Sequence, residues 1–222
     1  MTGFRCRAAT SLSVVAALLL SPVANAWLAP TPNFLPASAR VHGYSLTELA
    51  TAWATWGFGS APSENPLVAI RCEQSSIDPR IWFLPVTLGG EWENTCEVPP
   101  GTLLVLTPGG VECSNLEPEP YYGADEEALR TCTNADFALV NYVEVTIDGT
   151  TITSLADDYI VTTSLINLPR NNLISTESGF SMTKGYFLVI PPLSRGTHIV
   201  RAYDEQAAFG FEGGITYTIV VG

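Results

Sequence analysis

YVEVTIDGTTIT, residues 142–153, is the stretch that sets the fold class. Val143, Val145 and Ile147 alternate with polar residues, the two-residue period of a strand with one buried face. Asp148-Gly149 supplies a turn whose residues accept a left-handed backbone, and Ile152 returns on the other arm. The spacing predicts a β-hairpin, and short runs of the same character lie on both sides of it. They are 81–87 (IWFLPVT, with Pro85 as a bend or edge mark), 103–106 (entered through Pro99-Pro100-Gly101), 159–163, 186–190, 198–203 and 215–221. Short strands, frequent turns and no helices alternating with them predict an all-β chain. The expected architecture is an antiparallel β-sandwich, jelly-roll or immunoglobulin-like, as a single domain over 41–222.

One N-terminal helix precedes the strands. Ser45 and Glu48 form a capping box, each side chain satisfying an exposed backbone N–H of the first turn. Leu46, Leu49, Trp53 and Trp56 then follow at spacings of three, four and three, which lines one helix face, and Gly57 and Gly59 end it. The stripe reads first as a core seam against a sheet. Its other reading is a ligand surface whose indoles stack on a sugar.

Outward from this body, the first 26 residues read as a secretory signal peptide. Arg5 and Arg7 make a basic start, 13–20 (SVVAALLL) an apolar core too short to span a bilayer, and Ala24-Asn25-Ala26 a small-x-small cleavage site. Residues 27–40, rich in Pro and Ala, form an extended lead-in. The expected location is secreted or periplasmic. No later apolar run approaches the roughly 20 residues of a membrane helix, so no membrane insertion is expected after signal removal.

The chain carries a net charge of −12, which becomes −14 when Arg5 and Arg7 leave with the signal and no acid does. Lys184 is the one lysine. Such a surface repels phosphate backbones and anionic lipid, which excludes nucleic acid as a partner. The acidity suits solubility, and some of the carboxylates could hold a structural Ca²⁺; no other cofactor is expected.

Four cysteines remain after the signal: Cys72, Cys96, Cys113 and Cys132. In an exported chain they read as structural disulfides, with three pairings open and the two local ones, Cys72–Cys96 and Cys113–Cys132, favoured. No CxxC marks a zinc or redox site. Cys113 and Cys132 bracket most of an acidic loop, 108–136, which holds Glu112, Glu117, Glu119, Asp125, Glu126, Glu127, Tyr121 and Tyr122, with one or two helical turns at 124–130. A connection this long is either a recognition element or a solvated insertion covering a sheet edge.

Catalytic signatures are sparse. His42 and His198 are the only histidines, and neither HExxH nor GxSxG occurs. His198 reads as a residue that hydrogen-bonds a turn. Asp157-Asp158 and Asp204-Glu205 are adjacent acids, but glycosidase chemistry needs two carboxyls roughly 5 to 10 Å apart across a cleft, which adjacency does not supply. Aromatic residues next to carboxylates suit sugar rings, so Trp92, in the expected turn 89–92, and Tyr121 and Tyr122 are the candidate ligand-binding residues. Packing against the nearby disulfide is the alternative for Trp92.

Several of these segments together resemble a family of uncharacterised secreted bacterial proteins. The resemblance rests on the Trp-bearing helix 44–56, Asn65-Pro66-Leu67, Cys72 and Gln74 before Trp82-Phe83-Leu84, and Cys96, Val98, Pro99 and Gly101. It continues near the end in Gly185-Tyr186-Phe187-Leu188 and Pro192-Leu193-x-x-Gly196-x-His198. The helix departs from the family's adjacent tryptophans, having Ala52-Trp53 and Ala54-Thr55-Trp56. The resemblance implies an exported, disulfide-bearing, β-rich domain and transfers no catalytic residue. The sequence therefore predicts a secreted non-enzymatic module that binds a carbohydrate or cell-envelope component. A secreted hydrolase of polysaccharide or ester, using carboxylates or His198, and a structural subunit of a surface assembly are the alternatives.

Overall fold

A computed structural model describes residues 34–222. The signal peptide expected over 1–26, and residues 27–33 of the lead-in, lie outside the described residues. In chain order the elements are α1 (Leu46–Phe58), β1 (Glu73–Gln74), β2 (Ile81–Phe83), β3 (Gly90–Val98), β4 (Leu103–Ser114), α2 (Glu126–Phe137), β5 (Tyr142–Ile147), β6 (Thr150–Ile152), β7 (Ile160–Thr162), β8 (Ile166–Leu168), β9 (Gly179–Ile190), β10 (Gly196–Gln206) and β11 (Phe211–Val221).

The predicted hairpin is β5–β6. Asp148 and Gly149 sit at φ 47° and 80°, the doubly left-handed turn that matches strand twist, and Ile147 faces Thr150 across it. Ten of the strands follow one another into two sheets along the orders β1-β2-β4-β9-β7 and β3-β11-β10-β5-β6, with β8 also paired to β9. The chain is mostly β, and both sheets are mixed. β2 runs parallel to β4, and β3 parallel to β11, which corrects the expectation of a purely antiparallel body. After β2 the chain crosses to the second sheet, runs along it as β3, and returns as β4 beside β2. Both neighbours are therefore entered from the same end.

Burial follows the strand period. Leu104, Leu106, Leu188 and Ile190 of the first sheet share one buried cluster with Val200, Ile215, Tyr217 and Ile219 of the second. The opposite face of the first sheet carries Phe83, Val105, Phe187 and Val189, which are covered by Leu49 and Trp53 of α1. Each such side chain contributes about 1.5–3 kcal/mol on leaving water. The capping box of α1 is complete, with Ser45 N donating to Glu48 Oε2 at 2.7 Å and Glu48 N to Ser45 Oγ at 3.3 Å.

Three other expectations change. Among the described residues there are two α-helices, since α2 extends the one or two turns expected at 124–130 to twelve residues. Asp125 caps it through Ala128 N, and Leu129 packs on Cys113 and Met182. The acidic loop 108–136 is shorter than expected, because β4 continues through Pro108-Gly109-Gly110 by way of a register shift between Leu106 and Gly109 and ends at Ser114. Residues 90–92, expected within a turn at 89–92, instead open the edge strand β3 (Gly90–Val98).

Disulfides join Cys72 to Cys96 and Cys113 to Cys132. The first ties the residue before β1, at one edge of the first sheet, to β3 at the edge of the second. The other fastens α2 to β4. No helix among the described residues is long and apolar enough to cross a membrane.

Candidate functional site

The helix α1 sets one wall of a broad groove of about 900 Å³. The helical period that buries Trp53 against the sheet brings Trp56, one turn on, to the groove margin, half-buried and packed on Phe83 with ring centroids 5.5 Å apart. Its Nε1 donates to Glu73 Oε2 at 2.8 Å, and Arg71 Nε donates to the other oxygen of that carboxylate at 2.7 Å. Tyr44, Glu48 and Thr55 line the same groove. Tyr44 is fixed by its hydroxyl, which donates to the Ile77 carbonyl at 3.0 Å. An indole held in place beside an Arg–Glu pair and hydroxyl groups offers both the apolar face and the polar rim that a sugar ring presents in complement.

The sequence-selected aromatics lie elsewhere. Trp92 is on β3, 49% exposed, its Nε1 donating to the Gly89 carbonyl at 2.8 Å. The polar neighbour of the Cys72–Cys96 disulfide is Asn94, whose Nδ2 lies 3.2 Å from Cys72 Sγ. Tyr121 stacks on Phe209 at 6.0 Å, and Tyr122 is exposed beside Ser114. Tyr121 and Tyr122 share the segment between β4 and α2, whereas Trp92 belongs to the edge of the second sheet.

A second concavity, of about 250 Å³, opens where α1, the crossing segment 84–89, β4, β9, β10 and β11 converge. Apolar side chains, Trp53, Phe58, Val86 and Phe211 among them, make most of its wall, and Leu88, 56% exposed, stands on its solvent side. Set among them are Glu112 of β4 and Asp204 of β10. Gly109, just past the register shift in β4, lets the two sheets approach here, and Gly110 lets β4 lie close against its neighbour β9. A Cβ on Gly109 would come within 3.1 Å of Asp204 Cβ, and one on Gly110 within 3.2 Å of Gly185 Cα. Gln206 Nε2 donates to Asp204 Oδ2 at 2.8 Å and to the Gly110 carbonyl at 3.2 Å. Burial pushes the Asp204 carboxyl up to about 6, against a smaller downward pull from Gln206. Glu112 is pushed well above the carboxylate range, first by burial and then by the neighbouring Glu117. Its Oε1 has no hydrogen-bond partner, and neither has Thr183 Oγ1, also on the wall.

This pair was only half visible in the sequence. In the sequence Asp204 stands beside Glu205, and Glu112 falls in the acidic loop, with nothing to join them. The signal that could have joined them is the strand period itself: Val200, Ala202, Asp204 and Gln206 occupy one face of β10 and all are buried.

His198 lies in a line with two further groups. Its Nδ1 is 2.7 Å from Asp148 Oδ2, and its Nε2 is 3.2 Å from Ser194 Oγ. Nε2 is nearer still to the Ser194 carbonyl oxygen, at 3.0 Å. A nucleophilic serine needs a neutral Nε2 free to accept its proton. Here the hydrogen bond to Asp148 raises the imidazole above its ordinary 6.5, and the carbonyl favours a proton on Nε2. The arrangement suits a tether between the 148–149 turn and the loop before β10, with Asp148 Oδ1 also accepting from Ile199 N at 2.9 Å. His198→Ala is expected to cost about 1 kcal/mol at pH 6. Because the folded histidine holds its proton more tightly than the unfolded one, that contribution is complete below about 6.5 and fades as pH rises through the raised folded value. Urea unfolding of both proteins at pH 6 and 9 measures it, and an equal cost at both pH values would contradict the tether.

Asp157 and Asp158 lie exposed on a short 3₁₀ turn. Cys113, Cys132 and Asp136 bring potential metal-ligating atoms within 4.8 Å of one another, but the disulfide leaves neither sulfur as a thiolate.

No family model and no curated protein matches the chain. Among solved structures, one chain of the structure of PbICP-C in complex with falcipain-2 is similar at 11% identity and a TM-score of 0.29, over 64% of this chain and 98% of that one. Likeness of that degree fixes neither fold family nor function.

Proposed function

We propose that this protein is a secreted or periplasmic binding module without catalytic activity that takes a carbohydrate or cell-envelope component. The observation that carries the reading is the α1 groove, where Trp56 is held by Glu73, itself held by Arg71, in a surface large enough for several sugar units. The two disulfides suit an oxidising compartment. The two-sheet body is taken as a sandwich of jelly-roll or immunoglobulin-like descent, and the family resemblance carried by the segments around Trp53, Cys72 and Cys96 belongs to the same proposal. A structural Ca²⁺ on surface carboxylates would be an accessory to it.

The test is binding of the oxidised protein to a broad glycan array, with Ca²⁺ and then with chelator. Trp56→Leu, which keeps an apolar contact on Phe83, should lower affinity for a specific hit at least tenfold while the circular dichroism stays unchanged. Trp92→Ala and the pair Tyr121→Ala, Tyr122→Ala should leave it within twofold. The opposite pattern would move the site to those aromatics, and a blank array would reject carbohydrate as the ligand.

A hydrolase is the second reading, and the Ser194–His198–Asp148 line would serve it only with the Nε2 proton turned away from the Ser194 carbonyl. It requires turnover of a polysaccharide or ester that vanishes in Ser194→Ala. A structural subunit of a surface assembly would instead show concentration-dependent self-association.

A further inference from the structure

The walls of the smaller cavity contain two acids and no base. Glu112 and Asp204 face a space lined otherwise by apolar residues, three threonines (Thr87, Thr107 and Thr183) and Gln206, with no Lys, Arg or His. A buried carboxylate is costly unless a cation or several donors meet it. Asp204 has one side-chain donor, Gln206. Independently, Thr183 is 96% buried on the same wall, as its 4% exposure shows, and its hydroxyl has no partner. A native structure seldom leaves such a group unpaired without a use for it.

We infer that this cavity is a binding site for a small organic ammonium, an amine with an apolar body, distinct from the groove along α1. The apolar body would lie against Phe58, Val86 and Phe211, with its ammonium directed to Asp204 and its remaining donors to Glu112 and Thr183. A hydrated metal ion suits the site less, because the wall is mostly apolar and no third carboxylate, histidine or thiolate lines it. At about 250 Å³ the cavity is at the small end for ligand sites, which restricts the body to about one ring or a short branched chain. The charges also match one to one: Asp204 is ionised at pH 7.5, while Glu112 resists ionisation.

The experiment titrates the full protein at pH 7.5 with benzylammonium, its uncharged isostere benzyl alcohol, and CaCl₂, read by calorimetry and by the shift in thermal midpoint. Benzylammonium should bind at least tenfold more tightly than benzyl alcohol. Asp204→Asn should abolish that preference, and Thr183→Val should weaken benzylammonium several-fold without affecting the alcohol. Glu112→Gln is the second carboxyl variant and should reduce the preference if Asp204→Asn fails to fold. Trp56→Leu should leave it unchanged, which separates this site from the glycan proposal. Equal binding of the two isosteres, no binding of either, a preference that survives in both carboxyl variants, or a response to Ca²⁺ alone would overturn the inference.

Discussion

Asp204→Asn should make the unliganded protein more stable at pH 7.5, an uncommon direction for a change at a site only 2% exposed. The folded carboxyl titrates at about 6 and the unfolded one at 3.8, so between those values the native state holds a proton that the unfolded chain has lost. Stability attributable to this group therefore falls as pH climbs through that window, and above it the folded protein carries a penalty of about 3 kcal/mol. An amide has no proton to lose and can still offer an oxygen to Gln206. Denaturant unfolding at pH 7.5 should show a gain approaching that figure, and at pH 3.5 close to none. A loss at both pH values would mean that the carboxylate is needed for packing rather than tolerated. Groups that weaken a fold and persist are characteristic of binding and catalytic sites, where stability is given up for function.

Trp53→Ala should act in the opposite sense and strongly. Trp53 is 1% exposed, contacts the Trp56 and Phe187 rings edge-on at 5.9 and 5.8 Å, and donates its Nε1 hydrogen to the Leu84 carbonyl at 2.8 Å. Truncation leaves a cavity under α1 and a buried carbonyl without its donor, for a combined cost of about 4–5 kcal/mol. That is a large part of the 5–15 kcal/mol that holds a typical domain folded. Trp53→Phe keeps most of the volume and should lose about 2 kcal/mol, chiefly from the orphaned carbonyl. A cost below 1 kcal/mol for the alanine variant would mean that α1 is not a structural layer. The two indoles thus divide the alternatives that their shared stripe left open: Trp53 belongs to the core, and Trp56 faces the groove.

Elements with a local chemical signature were legible in the sequence. The Ser45–Glu48 box locates α1, and Asp148-Gly149 locates the β5–β6 hairpin at the edge of the second sheet. What escaped was whatever depended on distant partners. β3 reads GEWENTCEV, and only Cys96 and Val98 are buried, so as an edge strand it shows no apolar alternation. The C-terminal half of β4 contains Pro108-Gly109-Gly110, which locally signals a break, yet the register shift carries the strand through it. In α2 only Leu129, Thr133 and Asp136 are buried, too little apolar surface for the helical period to stand out. The groove could not be read at all, since its wall combines α1 with residues around Arg71 and Ser164. The acidic cavity was hidden for the same reason, with β4 and β10 each supplying one carboxyl.

The parallel pairing of β3 with β11 also dictates an order of events during folding. In the second sheet β11 lies between β3 and β10, aligned with β3 from Gly90–Gly213 to Val98–Val221. As the chain emerges from its N-terminal end, β3 has no neighbour in its sheet until a strand more than a hundred residues later becomes available. Closing so long a loop is entropically slow, and the polar faces of β3 keep the waiting edge from recruiting another chain. The β3 edge of the sheet therefore closes last, after β5, β6 and β10 are already available to pair with one another.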